Sequence, residues 1–156
     1  MSDQRWLDDR EQRAWRSLMT MQADLSQYIE RQLRQRSGLS SADYEVLAHL
    51  SEAPEGRLRA FALGGLLRWE KSRLSQHLTR MEKRGLVGRE RCAADQRGAV
   101  LVITPQGREL IEAAAAPHVS DVRKVLIDHL TPEQLDLICG LGDQVRARLA
   151  ELEQEP

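Results

Sequence analysis

The residues with the clearest chemical potential lie between positions 70 and 84. Leu74, Leu78 and Met81 recur at the three- and four-residue steps of one helix face, which pins that face to a core. Lys71, Ser72, Arg73, Gln76, His77 and Arg80 then fall largely on the outward side. A guanidinium can place two hydrogen bonds on guanine and a carboxamide two on adenine, and a DNA major groove admits one α-helix. Lys71 and Ser72, near the helix start, suit phosphate, which the positive helix terminus also attracts. A charged solvent face on an ordinary amphipathic helix would look the same, so the helix alone does not decide. Two β-prone runs follow at 86–92 and 98–103, with 93–97 as a hairpin tip. Arg97 at that tip can enter a minor groove, and Asp95 can orient an arginine. A plain polar turn is the alternative for Asp95-Gln96-Arg97.

Charge is distributed in the same sense. The 156 residues carry a formal net charge of −1. Residues 57–97 hold 11 Lys and Arg against 4 Asp and Glu, a net of +7, while the rest holds 12 against 20, a net of −8. A basic middle between acidic ends is the asymmetry of a nucleic-acid-reading module set among other helices. Charge speaks to the kind of partner and not to the fold. With 41% hydrophobic and 30% charged residues, the chain can bury a core without metal or disulfides. It has no apolar run of the length that spans a membrane and no apolar leader at its start. Cys92 and Cys139 stand far apart, which suits a reduced, cytoplasmic protein, and both are expected to be buried and inert. No nucleophile constellation, phosphate loop or tight metal-ligand cluster stands out, so neither an enzyme nor a cofactor is implied. His118 with Asp121, and Asp128 with His129, read as helix-surface residues rather than metal ligands.

The remaining elements are those needed to hold the basic helix. Residues 8–36 read as one long helix whose Trp15, Leu18, Met21, Leu25, Tyr28 and Ile29 form an apolar stripe, with Gly38 as its stop. Ser40 caps a short helix carrying Tyr44, Val46, Leu47 and Leu50, with Leu39 as its staple. Residues 57–59 suit a brief strand, and Phe61, Leu63, Leu66 and Leu67 a short helix that Gly64-Gly65 weakens. Thr104-Pro105 opens a long helix in which Pro117 should introduce a kink. Thr131 and Gln134 have capping-box spacing before a last helix striped with Leu135, Ile138, Leu141, Val145, Leu149 and Leu152. The expected fold is mainly α with a small β-wing, a winged helix-turn-helix whose flanking helices form a dimerisation region. Its divisions are an N-terminal helix at 8–36, a DNA-binding module at 40–104 and dimerisation helices at 105–153.

Two stretches give this arrangement a family likeness. The run Ser72-Arg73-Leu74-Ser75-Gln76-His77-Leu78-Thr79-Arg80-Met81-Glu82-Lys83-Arg84-Gly85-Leu86-Val87 and the run Asp95-Gln96-Arg97-Gly98-Ala99-Val100-Leu101-Val102-Ile103-Thr104-Pro105-Gln106-Gly107 resemble the recognition helix and wing of the MarR (multiple antibiotic resistance regulator) family. The resemblance implies a homodimer whose recognition helices enter successive major grooves of a pseudopalindromic operator. It also implies dimerisation through the first and last two helices, and often a repressor released by a small phenolic or aromatic effector. Trp15, Met19, Tyr44 and His49 are candidates for lining an effector pocket, although packing in the core or dimer is the better explanation for each of them. Trp69 and Glu70 depart from the usual capping residues at the start of the recognition helix. The competing function is a winged-helix adaptor that binds a protein partner instead of DNA, since fold does not settle function.

Overall fold

The computed structural model describes residues 5–91 and 98–154. Helix α1 spans Asp9–Ser37 and begins on a reciprocal capping box between Asp8 and Glu11. It ends where Gly38 takes the left-handed conformation at φ 70. Helix α2, Ser41–Glu52, starts on a second capping box. Ser40 Oγ accepts from the Asp43 amide at 2.9 Å, and the Ser40 amide donates back to Asp43 Oδ2 at 3.0 Å. A 3-10 turn at Pro54–Gly56 leads to strand β1, Arg57–Arg59. Helices α3, Ala60–Leu67, and α4, Lys71–Lys83, follow, then strands β2, Val87–Arg91, and β3, Ala99–Ile103. Helix α5, Pro105–Val125, carries Pro117 in its interior, as the sequence suggests. A 3-10 turn at Ile127–His129 precedes α6, Pro132–Leu152, which begins on the Thr131–Gln134 capping box.

The chain forms two compact units, Met1–His118 and Val119–Pro156. In the first, the sheet order is β1-β3-β2 with both pairs antiparallel. Leu58 pairs with Leu101, and Val87 with Ile103. Alternation along β3 sends Leu101 and Ile103 inward. They meet Val46, Leu47 and Leu50 of α2, Leu63 of α3, Leu74, Leu78 and Met81 of α4, and Ile111 and Ala114 of α5 in one core. Each such large side chain contributes about 1.5–3 kcal/mol by leaving water. In the second unit Leu137, Ile138, Leu141, Val145, Leu149 and Leu152 of α6 all remain exposed.

The turn between α3 and α4 closes by a Schellman pattern. The Trp69 amide donates to Gly64 O at 3.1 Å and the Arg68 amide to Gly65 O at 3.3 Å. Arg68, not glycine, occupies the left-handed position, at φ 54. Gly64 lets the two helices approach, since a Cβ there would lie 3.3 Å from Leu74 Cδ2.

The sheet is fixed to α5 at its root. Thr104 Oγ1 donates to Gly85 O at 2.6 Å and accepts from the Gly107 amide at 3.0 Å. The Thr104 amide donates to Leu86 O at 3.2 Å. A Cβ on Gly107 would stand 2.1 Å from that same Leu86 oxygen. Both partners are backbone and cannot swing aside, so Gly107→Ala is expected to destabilise by about 3 kcal/mol, read by urea unfolding. Gly65→Ala is the matched control. Its Cβ meets nothing within 4 Å inside α3, and the change is expected to stabilise by about 0.5–1 kcal/mol.

Candidate nucleic-acid interface

Helix α4 presents three faces. Leu74, Leu78 and Met81 enter the core. Ser75, Thr79 and Glu82 face β2, where Arg89 gathers them. Its Nη2 donates to Ser75 O and Thr79 Oγ1, both at 3.2 Å, and its Nε lies 3.0 Å from Glu82 Oε2. The wing strand is thereby laced to the helix, and Arg57 of β1 pairs with Glu90 of β2 beside it. Lys71, Ser72, Arg73, Gln76 and Arg80 are exposed, as the helical spacing predicts. An open cleft of about 770 Å³ runs between α3, α4 and the sheet, lined among others by Phe61, Trp69, Lys71, Leu74, Arg89 and Leu101. The side chain of Phe61 is almost wholly exposed at its edge.

His77 corrects the sequence reading. It does not join the outward set but is buried, at 8% exposure. Its position lies between the core stripe and the outward stripe, and a distant partner draws it in. Nε2 lies 3.0 Å from Asp43 Oδ1, an approach too poorly aligned to count as a hydrogen bond. Asp43 is itself buried and also accepts from Arg84 Nη1 at 2.6 Å. The second Arg84 nitrogen reaches Gly38 O at 3.3 Å. Burial pushes the Asp43 carboxyl up, but the contacts of His77 and Arg84 and the Ser40 amide outweigh it and hold the group well below the usual carboxylate range. Glu30 of α1 behaves alike. Burial raises it, while hydrogen bonds from Ser41 and the charge of Arg34 lower it. Two carboxylates thus face the positive start of α2.

Trp69 and Glu70 find explanations. Glu70 is the N-cap by backbone alone, with no side-chain cap bond. Trp69, half-buried, stands edge-on to the His77 ring at 5.3 Å and 85°, and the Arg73 guanidinium carbon lies 4.3 Å over the Trp69 ring. Sequence reasoning missed Asp43, Arg84, Arg89 and Trp69 as parts of this face. The Ser40-x-x-Asp43 spacing was a local signal for the first; the others depend on partners far along the chain.

The wing tip, with Cys92, Asp95, Gln96 and Arg97, lies outside the described residues. Of the effector candidates, Trp15 and Met19 are exposed on α1. Tyr44 and His49 are half-buried on α2, Tyr44 with its ring 4.3 Å from that of His118. None of the four lines the cleft. Cys139, expected to be buried, is exposed on α6. No helix among the described residues is long and apolar enough to cross a membrane, and no three of their His, Cys, Asp or Glu side chains converge as metal ligands would.

A helix-turn-helix made of α3 and α4, followed by a strand pair laced to its second helix, defines a winged helix-turn-helix protein. A MarR family model matches residues 37–98. AbsC, a MarR family transcriptional regulator from Streptomyces coelicolor, superposes with a TM-score of 0.90 at 39% identity, over 95% of this chain and 99% of that one. Sco3205, a regulator of the same family and organism solved in complex with DNA, gives 0.86 at 35% identity, over 100% and 94%. The transcriptional regulator HosA of Escherichia coli O157:H7 is 30% identical over 115 residues, 74% of this chain and 83% of that protein. The chain belongs to the MarR family. It is a transcriptional regulator of the DNA-binding winged-helix class, and not an enzyme.

The buried carboxylate gives a test with a defined sign. Because Asp43 titrates below its ordinary value in the folded chain, its stability is complete above that value and is lost as pH falls beneath it. Asp43→Asn is expected to lower the unfolding free energy by about 2 kcal/mol at neutral pH. The gap to wild type should shrink as unfolding is followed from about pH 5 to about pH 3.

Proposed function

We propose that the protein is a homodimeric repressor that binds a pseudopalindromic operator in the cytoplasm, with α4 in the major groove and the wing on the neighbouring minor groove. The observation that carries this reading is the face of α4. Its core and wing sides are occupied, and Lys71, Ser72, Arg73, Gln76 and Arg80 are left outward. Arg73, Gln76 and Arg80 have the donors that distinguish bases, and Lys71 and Ser72 suit phosphates beside the helix start. The DNA complex of Sco3205, at 35% identity over the whole chain, supports the same docking. Arg97 is assigned to the minor groove and Asp95 to orienting an arginine, on the sequence alone.

Dimerisation is supported by apolar surface. Trp15, Leu18 and Met21 on α1, and Leu137, Ile138 and Leu141 on α6, are exposed in the single chain, Leu137 at 71%. A second copy that covers them would set two readers about one DNA turn apart. Release by a small aromatic effector would act by favouring a form with wrongly spaced readers. Trp15, Met19, Tyr44 and His49 are the residues offered for it. A protein-binding adaptor is disfavoured by the exposed donors of α4, which a protein partner would have to match one by one.

Binding to duplexes selected from a random pool tests the reading. Arg73→Ala is expected to weaken binding about tenfold or more and to relax preference at the base it reads. Arg97→Ala should weaken binding with less effect on the central sequence. Wild-type affinity and preference in both variants would refute the docking. The paired change Ile138→Glu with Leu141→Glu is expected to give monomers in sedimentation velocity and to abolish tight operator binding.

A further inference from the structure

We propose that His77 is a positioning residue for base reading. Its imidazole, held by the buried Asp43, sets the two guanidiniums that α4 turns outward, Arg80 directly and Arg73 through Trp69. The inference rests on the docking of α4 proposed above and adds what arranges its side chains.

The geometry runs outward from a fixed point. Asp43 is locked by the α2 capping box and by Arg84. Its Oδ1 faces His77 Nε2 at 3.0 Å. On the opposite side of the ring, Arg80 Nη2 lies 3.1 Å from His77 Nδ1. Arginine has donors only, so Nδ1 must accept. A neutral imidazole then carries its proton on Nε2, toward the Asp43 carboxylate. This tautomer accepts a hydrogen bond from Arg80 at Nδ1 and turns the positive edge of the ring, at Nε2, toward the Asp43 carboxylate without a hydrogen bond. The ring also meets Trp69 edge-on at 5.3 Å, and Arg73 rests on the Trp69 face at 4.3 Å. Arg73 and Arg80 are exposed, whereas His77 is covered.

A long arginine loses rotamer freedom when it docks on a base, and any restriction in place beforehand reduces that loss. A side chain needed only to fill this space would not require two ring nitrogens addressed to two different partners. His77 therefore acts through Arg80 and Trp69, with no contact to DNA of its own.

Two amides separate the functions of the ring. His77→Asn puts an acceptor oxygen near the Nδ1 position, toward Arg80. His77→Gln puts a donor near the Nε2 position, toward Asp43, and leaves Arg80 without its acceptor. Both are compared with wild type as full chains on the duplex that wild type selects from a random pool, with unfolding midpoints measured in parallel. His77→Asn is expected to keep affinity within about threefold and to retain base preference, and His77→Gln to lose about tenfold and flatten the preference that Arg80→Ala also flattens. The reverse ranking, or equal losses that follow the midpoints alone, overturns the proposal. A double-mutant cycle adds an independent reading. His77→Phe should cost about tenfold in the wild-type background and about twofold or less beside Arg80→Ala. Full cost in both backgrounds refutes the link. If wild type itself selects no duplex, the DNA docking fails and the proposal falls with it. If wild type selects a duplex and the cycle is additive, only the role of His77 fails.

Discussion

One buried carboxylate sets the rotational register of the basic helix. Asp43 caps the α2 start together with Ser40, and it sits where burial opposes its charge. Such a group is tolerated only when its remaining lone pairs are met. The Ser40 amide and Arg84, at the end of α4, meet them with hydrogen bonds, and His77, in the middle of α4, brings Nε2 to 3.0 Å from the other oxygen. Turning α4 by one residue about its axis would carry His77 away from Asp43 and lift Leu74, Leu78 and Met81 out of the core. Polar and apolar constraints therefore select the same orientation, and the outward set is what they leave over. Arg84 extends the tie to Gly38 O, at the end of α1. The ends of three helices are gathered at one side chain.

The elements were legible in the sequence because their signals are local. Capping spacings at Ser40 and Thr131, the Gly38 stop and the alternation in 98–103 depend on neighbours a few residues away. The outward members of α4 were legible for the same reason, from the period of Leu74, Leu78 and Met81. His77 was not. Its place is one step from both stripes, and what draws it inward is Asp43, far back along the chain. Arg89 was invisible as a lacing residue because its acceptors on α4 become neighbours only after the hairpin folds back. Cys139 was misjudged because an apolar residue on a striped helix suggests burial, whereas α6 keeps that face open in the single chain.

The family likeness of residues 72–107 acquires a physical content. Thr104 and Gly107 belong to the signature because one hydroxyl joins Gly85 to the first turn of α5, and because a bare α-carbon is needed against the Leu86 carbonyl. The aromatic and acidic residues just before α4 do not follow the usual capping chemistry. Trp69 meets the His77 ring edge-on and carries the Arg73 guanidinium on its face, and Glu70 caps by backbone only. A departure at the level of a helix-start motif is thus a feature of how the side chains beyond it are arranged.

The left-handed Arg68 between the two short helices carries a consequence of its own. A side chain in that conformation costs about 1 kcal/mol or more relative to glycine. Fold strength and surface charge pull against each other at this one residue. A glycine there would tighten the elbow of the helix pair while removing one of the 11 cations between residues 57 and 97. Anyone seeking a sturdier version of this protein will find the easiest gain at a place where long-range attraction for a polyanion is also held.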